Sequence, residues 1–393
     1  MMHGFEFYTP TRVIFGAGSL EKLPEAVGRC GAKRVFVIYG GQSAKKSGTL
    51  DRVEALLTGA GIAFAVIGGV KPNPRLGLAR EAIREAIAFG ADLILAVGGG
   101  SVIDTAKATA HGTANPEADI WDIWMGKVKL EKSLPVGVVL TIPAAGSEMS
   151  DSAVLTDEAA LAKRGLNTDL NRPAFALMDP ALAATLPARQ AACGGTDIMM
   201  HTLERYVNPL ENDMTDEIAE ALLRVVIRHG EAVVKNPGDI DAMSEIMWAG
   251  SLSHNNLTGL GGKKDFSVHQ FGQAIGEKFD IYHGETLSAM WASYARYVAP
   301  TNFARFARYA RNVWGVEEAD DEKAAMAGID ATESYFKRLG MPVRIAELSC
   351  GVQDEAGLYD LALRCSRNRG RTIGSFRVLD FEDMLNVYQM ANK

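Results

Sequence analysis

The first half of the chain carries its apolar residues in short unbroken runs rather than in alternation. RVFVIYGG (34–41), IAFAVIGGV (62–70), DLILAVGGGS (92–101) and VGVVLTIPA (136–144) are rich in branched residues and run into glycine or proline. Between them, stretches such as LDRVEALLTGAG and RLGLAREAIREAIAFGA place apolar positions at helical spacing. Unbroken apolar strands separated by helices predict a parallel sheet buried on both faces. The pattern changes near LMDPALAATLPARQAACGG (177–195). Beyond it, TDEIAEALLRVVIRHGEAVVKN and EKAAMAGIDATESYFKRLG read as amphipathic helices, and strand-like runs almost vanish. The expected architecture is an α/β domain over residues 1–185 followed by an all-helical domain over 186–393.

The size agrees with two domains, since 393 residues exceed what one core usually serves. With 47% hydrophobic and 23% charged residues, the composition is that of an ordinary soluble globular protein. A net charge of -7 and a pI near 5.6 argue against nucleic acid or an anionic membrane surface as the main partner. The N-terminal stretch MMHGFEFYTPTRVIFG has no basic region followed by a sustained apolar run, and no window is long and apolar enough to span a membrane. The four cysteines, Cys30, Cys193, Cys350 and Cys365, form no CxxC pair. A zinc ribbon is excluded, and a reducing cytoplasm is the expected compartment.

Three glycine-bearing turns in the first half are candidate cofactor contacts. AVGGGSVIDTAK (96–107) joins a strand to a helix. Gly98, Gly99 and Gly100 let the backbone approach an anion, Ser101 offers a hydroxyl, and the new helix presents free N–H groups. The same glycines would also serve a tight strand-to-helix turn. In YGGQSAKKSG (39–48) no acidic residue stands where a Rossmann-like sheet usually holds the adenosine ribose. Ser43, Lys45 and Lys46 lie beside Gly40 and Gly41 instead, a set that suits a 2′-phosphate and would otherwise form a solvated basic loop. TIPAAGSEMSD (141–151) adds Thr141 and Ser147.

The second half supplies candidate metal ligands. In GGTDIMMHTLERYV (194–207), Asp197 and His201 stand four apart, so on a helix they share a face. An unrelated helix-start carboxylate and a partly buried histidine give the same spacing. A second pair, His269 and His283, brackets VHQFGQAIGEKFDIYHG. On one straight helix these two would stand roughly 21 Å apart, so one ion requires the chain to turn between them. One carboxylate and three imidazoles without sulfur suit Fe²⁺ or Zn²⁺, with Mn²⁺, Co²⁺ and Ni²⁺ also compatible.

The combination resembles the iron-containing (group III) alcohol dehydrogenase family, especially its NADPH-dependent aldehyde reductase and butanol dehydrogenase branch. FGAGSLEKL, KPNP, GGGSVIDTAK, TIPAAGSEMS, MDPALAATLPARQAACGGTDIMMHTLERY and FDIYHG carry it, in this order, over almost the whole chain. The resemblance implies a dehydroquinate-synthase-like fold and a divalent metal on Asp197, His201, His269 and His283. It implies phosphate contacts from Gly98, Gly99, Gly100 and Ser101, with Asp104 near the dinucleotide and Lys163 near the nicotinamide ribose. It places the 2′-phosphate of NADP(H), preferred over NAD(H), at the turn of Gly40, Gly41 and Ser43. It further implies an aldehyde or primary alcohol as substrate, and a homodimer. Two positions depart from the pattern: Gln273 replaces a second histidine often found there, and Ala145 replaces a threonine.

Two other readings compete. A cyclising lyase on the same fold would need several basic side chains aimed at a substrate phosphate, and TDIMMH and SVHQFGQ show no such cluster, although Lys263 and Lys264 are nearby. A nucleotide-binding protein with a decayed site would not need the four-ligand set.

Overall fold

Six parallel strands form the sheet that the unbroken apolar runs predict. A computed structural model describes residues 3–393, and its strands are β1 (Arg12–Phe15), β2 (Arg34–Tyr39), β3 (Ala63–Ile67), β4 (Leu93–Gly98), β5 (Val136–Leu140), β6 (Ser152–Asp157), β7 (Ala162–Asn167) and β8 (Phe175–Met178). The main sheet runs β1-β8-β5-β4-β2-β3, all parallel, and β6 and β7 form a separate antiparallel pair. Burial follows position. Every residue of β4 and β5 is buried, whereas the edge strands β1 and β3 are mostly half-buried.

The four central runs of the sequence are β2, β3, β4 and β5. β1 and β8, only four residues long, and the β6–β7 hairpin are not marked by a long apolar run. That hairpin lacks the expected apolar run because β7, AKRGLN, has polar and half-exposed positions along most of its length.

The chain forms two compact units. One comprises Tyr8–Leu186 and Pro237–Ser251; the other comprises residues 3–7, Pro187–Asn236 and Leu252–Lys393. In the first, Trp248 meets Phe15 edge-on with ring centroids 6.3 Å apart, and Ser251 Oγ donates to Glu148 at 2.5 Å. The second contains no strand among the described residues. Its core is built on Trp291, Phe271, Tyr294, Tyr335 and Tyr388, all fully buried. Arg305 forks onto both oxygens of Asp216 at 2.6 Å, donates to Tyr206 O, and lies 3.9 Å over the Tyr206 ring. No helix among the described residues is long and apolar enough to cross a membrane.

His111, on the helix Gly100–Ala114, is fully buried between Ser133 Oγ and Asn171 Oδ1, each 2.8 Å from a ring nitrogen. Burial pushes its pKa down to about 4, against the Asn171 hydrogen bond. The unfolded chain therefore takes up this proton first. The contribution is neutral above pH ~6.5 and destabilises progressively as pH falls toward 4, by about 3 kcal/mol in full. His111→Gln should flatten the fall in Tm over that window. A variant that loses stability as steeply as the parent would refute the assignment.

Candidate metal centre and dinucleotide site

Three helices of the second unit carry the four candidate ligands. Asp197 and His201 lie on the helix Ala188–Tyr206, one turn apart on one face. His269 lies on Ser267–Phe279, and His283 opens His283–Val298. The required turn falls at Asp280, whose φ of 52° and ψ of 38° end the first of these two helices. The helices approach closely because glycines permit it. A Cβ on Gly284 would lie 2.6 Å from Cys193 Cα, and one on Gly272 would lie 2.6 Å from Thr286 Oγ1.

Asp197 Oδ1 is the common point. His201 Nδ1 is 3.4 Å away, His269 Nε2 is 3.5 Å and His283 Nε2 is 4.0 Å. One ligand atom each from Asp197, His269 and His283 fits within a 4.8 Å span. The His201 and His269 rings stack with centroids 4.5 Å apart.

Asp197 Oδ1, His201 Nδ1 and His269 Nε2 are buried and form no hydrogen bond. Polar atoms so buried are rarely left unpaired, because each loses its hydration without return. A cation among them would supply the missing partner. Ligands about 2.1 Å from a tetrahedral ion stand about 3.4 Å from one another, close to the spacing observed. Burial, followed by the neighbouring His254 and His269, drives the His201 pKa well below the ordinary range, which keeps its lone pair free. Burial also presses His269 down, but the Glu204 and Asp197 carboxylates outweigh it and raise its pKa to about 9. The residues present fit a divalent ion.

The candidate dinucleotide residues lie in the first unit, where β2 and β4 are neighbours. From β2 the chain leaves toward β3, and from β4 it leaves the other way toward β5. Such a reversal opens a crevice beyond the carboxyl ends of the strands, the usual ligand position in open α/β sheets. Gly40 and Gly41 follow β2, and Gly98 ends β4. Gly99 and Ser101 open the helix Gly100–Ala114, whose N-terminus no side chain caps. Thr141 follows β5, and its N–H donates to Gly98 O at 3.1 Å. Ser43, Lys45 and Lys46 are exposed, with Lys45 Nζ 5.1 Å from the Tyr39 ring centre. Lys163 Nζ donates to Asn73 Oδ1 at 3.1 Å.

Two of the expected contacts are occupied within the protein. Asp104 is buried; Oδ1 accepts from Ser147 Oγ at 2.6 Å and Oδ2 accepts from Val154 N at 2.9 Å. These bonds tie the helix of the glycine turn to the 141–151 turn and to β6. Asp104 and Ser147 thus brace the site.

The chain has well-matched relatives among known proteins. Residues 10–180 match the family model described as iron-containing alcohol dehydrogenase, and 191–392 match the C-terminal model of the Fe-containing alcohol dehydrogenase family. An NADH-dependent butanol dehydrogenase A of Clostridium acetobutylicum is 36% identical, covering 99% of this chain and 100% of that one. An NADPH-dependent aldehyde reductase of Escherichia coli is 34% identical over 88% of this chain and 89% of its own. Among solved structures, an NADH-dependent butanol dehydrogenase A from Thermotoga maritima superposes with a TM-score of 0.95 at 32% identity, over 100% of this chain and 99% of that one. The protein belongs to the iron-containing alcohol dehydrogenase family. It is an NAD(P)H-dependent oxidoreductase that passes hydride between the dinucleotide and an aldehyde or alcohol.

Three further groups at these sites are absent from the sequence reading. Glu204 is buried against His269, and its signal is its place one turn after His201. His254 packs against His201 with ring centroids 4.0 Å apart. Lys107 is fully buried, and its Nζ donates to Ser147 Oγ at 2.9 Å and Ser152 O at 2.8 Å. Burial lowers its pKa to about 8, against the pull of Asp104 and Glu148. Lys107→Met leaves those buried carboxylates without their cation, so a loss of about 3–5 kcal/mol in urea denaturation is expected. A loss below about 1 kcal/mol would mean that this ammonium does not compensate them.

Proposed function

We propose that this chain reduces aldehydes to primary alcohols, prefers NADPH to NADH, and uses one divalent metal held by Asp197, His201, His269 and His283. The observation that carries the reading is the convergence on Asp197 Oδ1 of three imidazoles, with three buried polar atoms lacking any hydrogen bond. The donor set favours Fe²⁺ or Zn²⁺ and accommodates Mn²⁺, Co²⁺ or Ni²⁺. When bound, the ion supplies Lewis acidity toward the substrate oxygen and the dinucleotide supplies the hydride.

The protein's own residues bind and orient. Asp197 brings a negative charge against the ion, while His201 stays neutral because its burial penalises the charged ring. The turn Gly98–Ser101 receives the pyrophosphate on uncapped helix N–H groups. Asp104, Ser147 and Lys107 hold that turn against residues 141–151. Thr141 serves the phosphates or the nicotinamide, and Lys163 the nicotinamide ribose.

Relatives divide between NADH and NADPH by name, so the preference is read from this chain's own turn. YGGQSAKKSG holds two lysines and two serines, and no carboxylate to repel a 2′-phosphate. A homodimer fits the exposed aromatics Phe5, Phe7 and Tyr8 near the N-terminus, and a cytoplasmic setting fits the four free cysteines. The lyase alternative is not favoured, because the curated relatives named above are alcohol or aldehyde oxidoreductases.

Protein loaded with Fe²⁺ or Zn²⁺ should show kcat/KM for NADPH above that for NADH by roughly tenfold or more, the worth of one charge-assisted contact. Ser43→Asp should narrow or reverse the ratio. Equal or better use of NADH by the parent enzyme would overturn the assignment of this turn. Failure to oxidise NADPH with any of a panel of short and aromatic aldehydes would overturn the aldehyde-reduction proposal.

Gln273 is half-buried, and its Nε2 donates to Glu277 Oε1 at 3.1 Å. A glutamine cannot titrate, so Gln273→His adds an ionisable group one turn beyond His269. The metal content of that variant should match the parent, with the kinetic change appearing in the pH profile of kcat. Loss of metal from the variant would contradict this reading of the stretch.

A further inference from the structure

We infer that Glu204 fixes the tautomer of His269, and thereby decides whether His269 Nε2 offers a lone pair to a metal ion. The inference rests on the metal reading above and concerns a residue outside the ligand set.

Glu204 is 1% exposed and lies on the same helix as Asp197 and His201. Its two oxygens have different partners. Oε1 accepts from Val268 N at 2.6 Å and from His269 N at 3.3 Å, two N–H groups in the first turn of the helix Ser267–Phe279. Oε2 faces His269 Nδ1 in a short hydrogen bond. The backbone carbonyl of Glu204 accepts from Asp265 N at 2.8 Å, so the chain just before that helix is held by the same residue.

Oε1 is committed to two backbone N–H groups, which sets this carboxyl as an acceptor, and the hydrogen between Oε2 and Nδ1 is then the imidazole's. A neutral imidazole with its hydrogen on Nδ1 is bare at Nε2. Nε2 is the atom 3.5 Å from Asp197 Oδ1, and it has no hydrogen-bond partner. A metal ion would be held by Nε2, with the Nδ1–H kept on Glu204. Carboxylates behind metal-bound histidines commonly orient the ring and raise its basicity in this way. This makes Glu204 a positioning residue.

A purely structural role, capping the helix start, predicts something different, and Glu204→Gln separates the two. The glutamine carbonyl can keep both backbone N–H bonds, which an amide nitrogen pointed that way would lose. Its NH₂ then faces Nδ1 and requires an acceptor there. The ring responds by moving its hydrogen to Nε2, where it blocks the ion. Zn²⁺ affinity, measured by competition with a chromophoric chelator, should fall roughly 10–100-fold. The Tm of the metal-free variant should stay near that of the metal-free parent, while the Tm gain on adding Zn²⁺ should shrink.

A second measurement needs no folded variant at position 204. In zinc-loaded wild-type protein with ¹⁵N-labelled histidine, the His269 signals, assigned by their loss in His269→Ala, should report Nδ1 protonated and Nε2 metal-bound. If Glu204→Gln binds Zn²⁺ within twofold of wild type, or if Nδ1 is the bare nitrogen, Glu204 does not set the tautomer. Wild-type protein that takes up no Zn²⁺ overturns the metal reading itself, and this inference with it.

Discussion

The start of the helix Ser267–Phe279 is clamped by two buried carboxylates, and the candidate metal centre depends on that clamp. Glu204 reaches it from a neighbouring helix. Asp265, immediately before it, accepts from Tyr294 Oη at 2.6 Å and Ser267 N at 3.1 Å, and from Ser375 N and Phe376 N at 2.8 and 2.9 Å. Between them Phe266 takes a φ of 55° and ψ of 20°, a left-handed conformation that a bulky residue seldom adopts. Such strain persists only where the surroundings over-determine it. Here hydrogen bonds on both sides do so, and the result is a first helical turn aimed so that His269 faces Asp197. The Phe266 ring then lies edge-on to His269, centroids 5.1 Å apart, with the Arg205 guanidinium 4.8 Å from its centre.

The clamp has to work against its contents. Three imidazoles and a carboxylate crowd one point, and three of their polar atoms have given up water without gaining a hydrogen bond. A loose fold would relieve this by rotating a ring outward. The contact of Gly284 with Cys193 and of Gly272 with Thr286 leaves the backbones of three helices little room to separate. The unpaired atoms are thus a cost that the packing imposes and a bound cation would remove. This is why the arrangement points to chemistry and not merely to a polar flaw in a helical core.

Much of the fold was legible because burial writes itself into composition. β4 and β5 are buried along their whole length, so their sequences are unbroken apolar runs. The hairpin β6–β7 and the four-residue strands β1 and β8 were not legible, since a short or half-exposed strand leaves no long apolar run. At the metal centre, Asp197 and His201 could be paired by helical spacing. His269 and His283 needed a turn, and the structure places it at Asp280. Glu204 and Lys107 escaped notice for a common reason. Charged residues on helices read as solvated, and only tertiary contacts show that both are buried.

The glycines of the 98–100 turn show how differently the two candidate sites are encoded. A Cβ on Gly98 would stand 2.5 Å from Val102 Cγ2, and one on Gly99 would stand 2.7 Å from Ile142 Cβ. Packing of the strand ends therefore requires glycine at both positions whether or not a phosphate binds, so the motif alone carries little functional weight. What adds weight is topology. The chain leaves β2 and β4 in opposite directions, and the glycines follow those two strands. In the helical unit the information is held by side-chain chemistry, by which atoms meet at Asp197. In the strand unit it is held by the order of the strands, which becomes visible only once the sheet has formed.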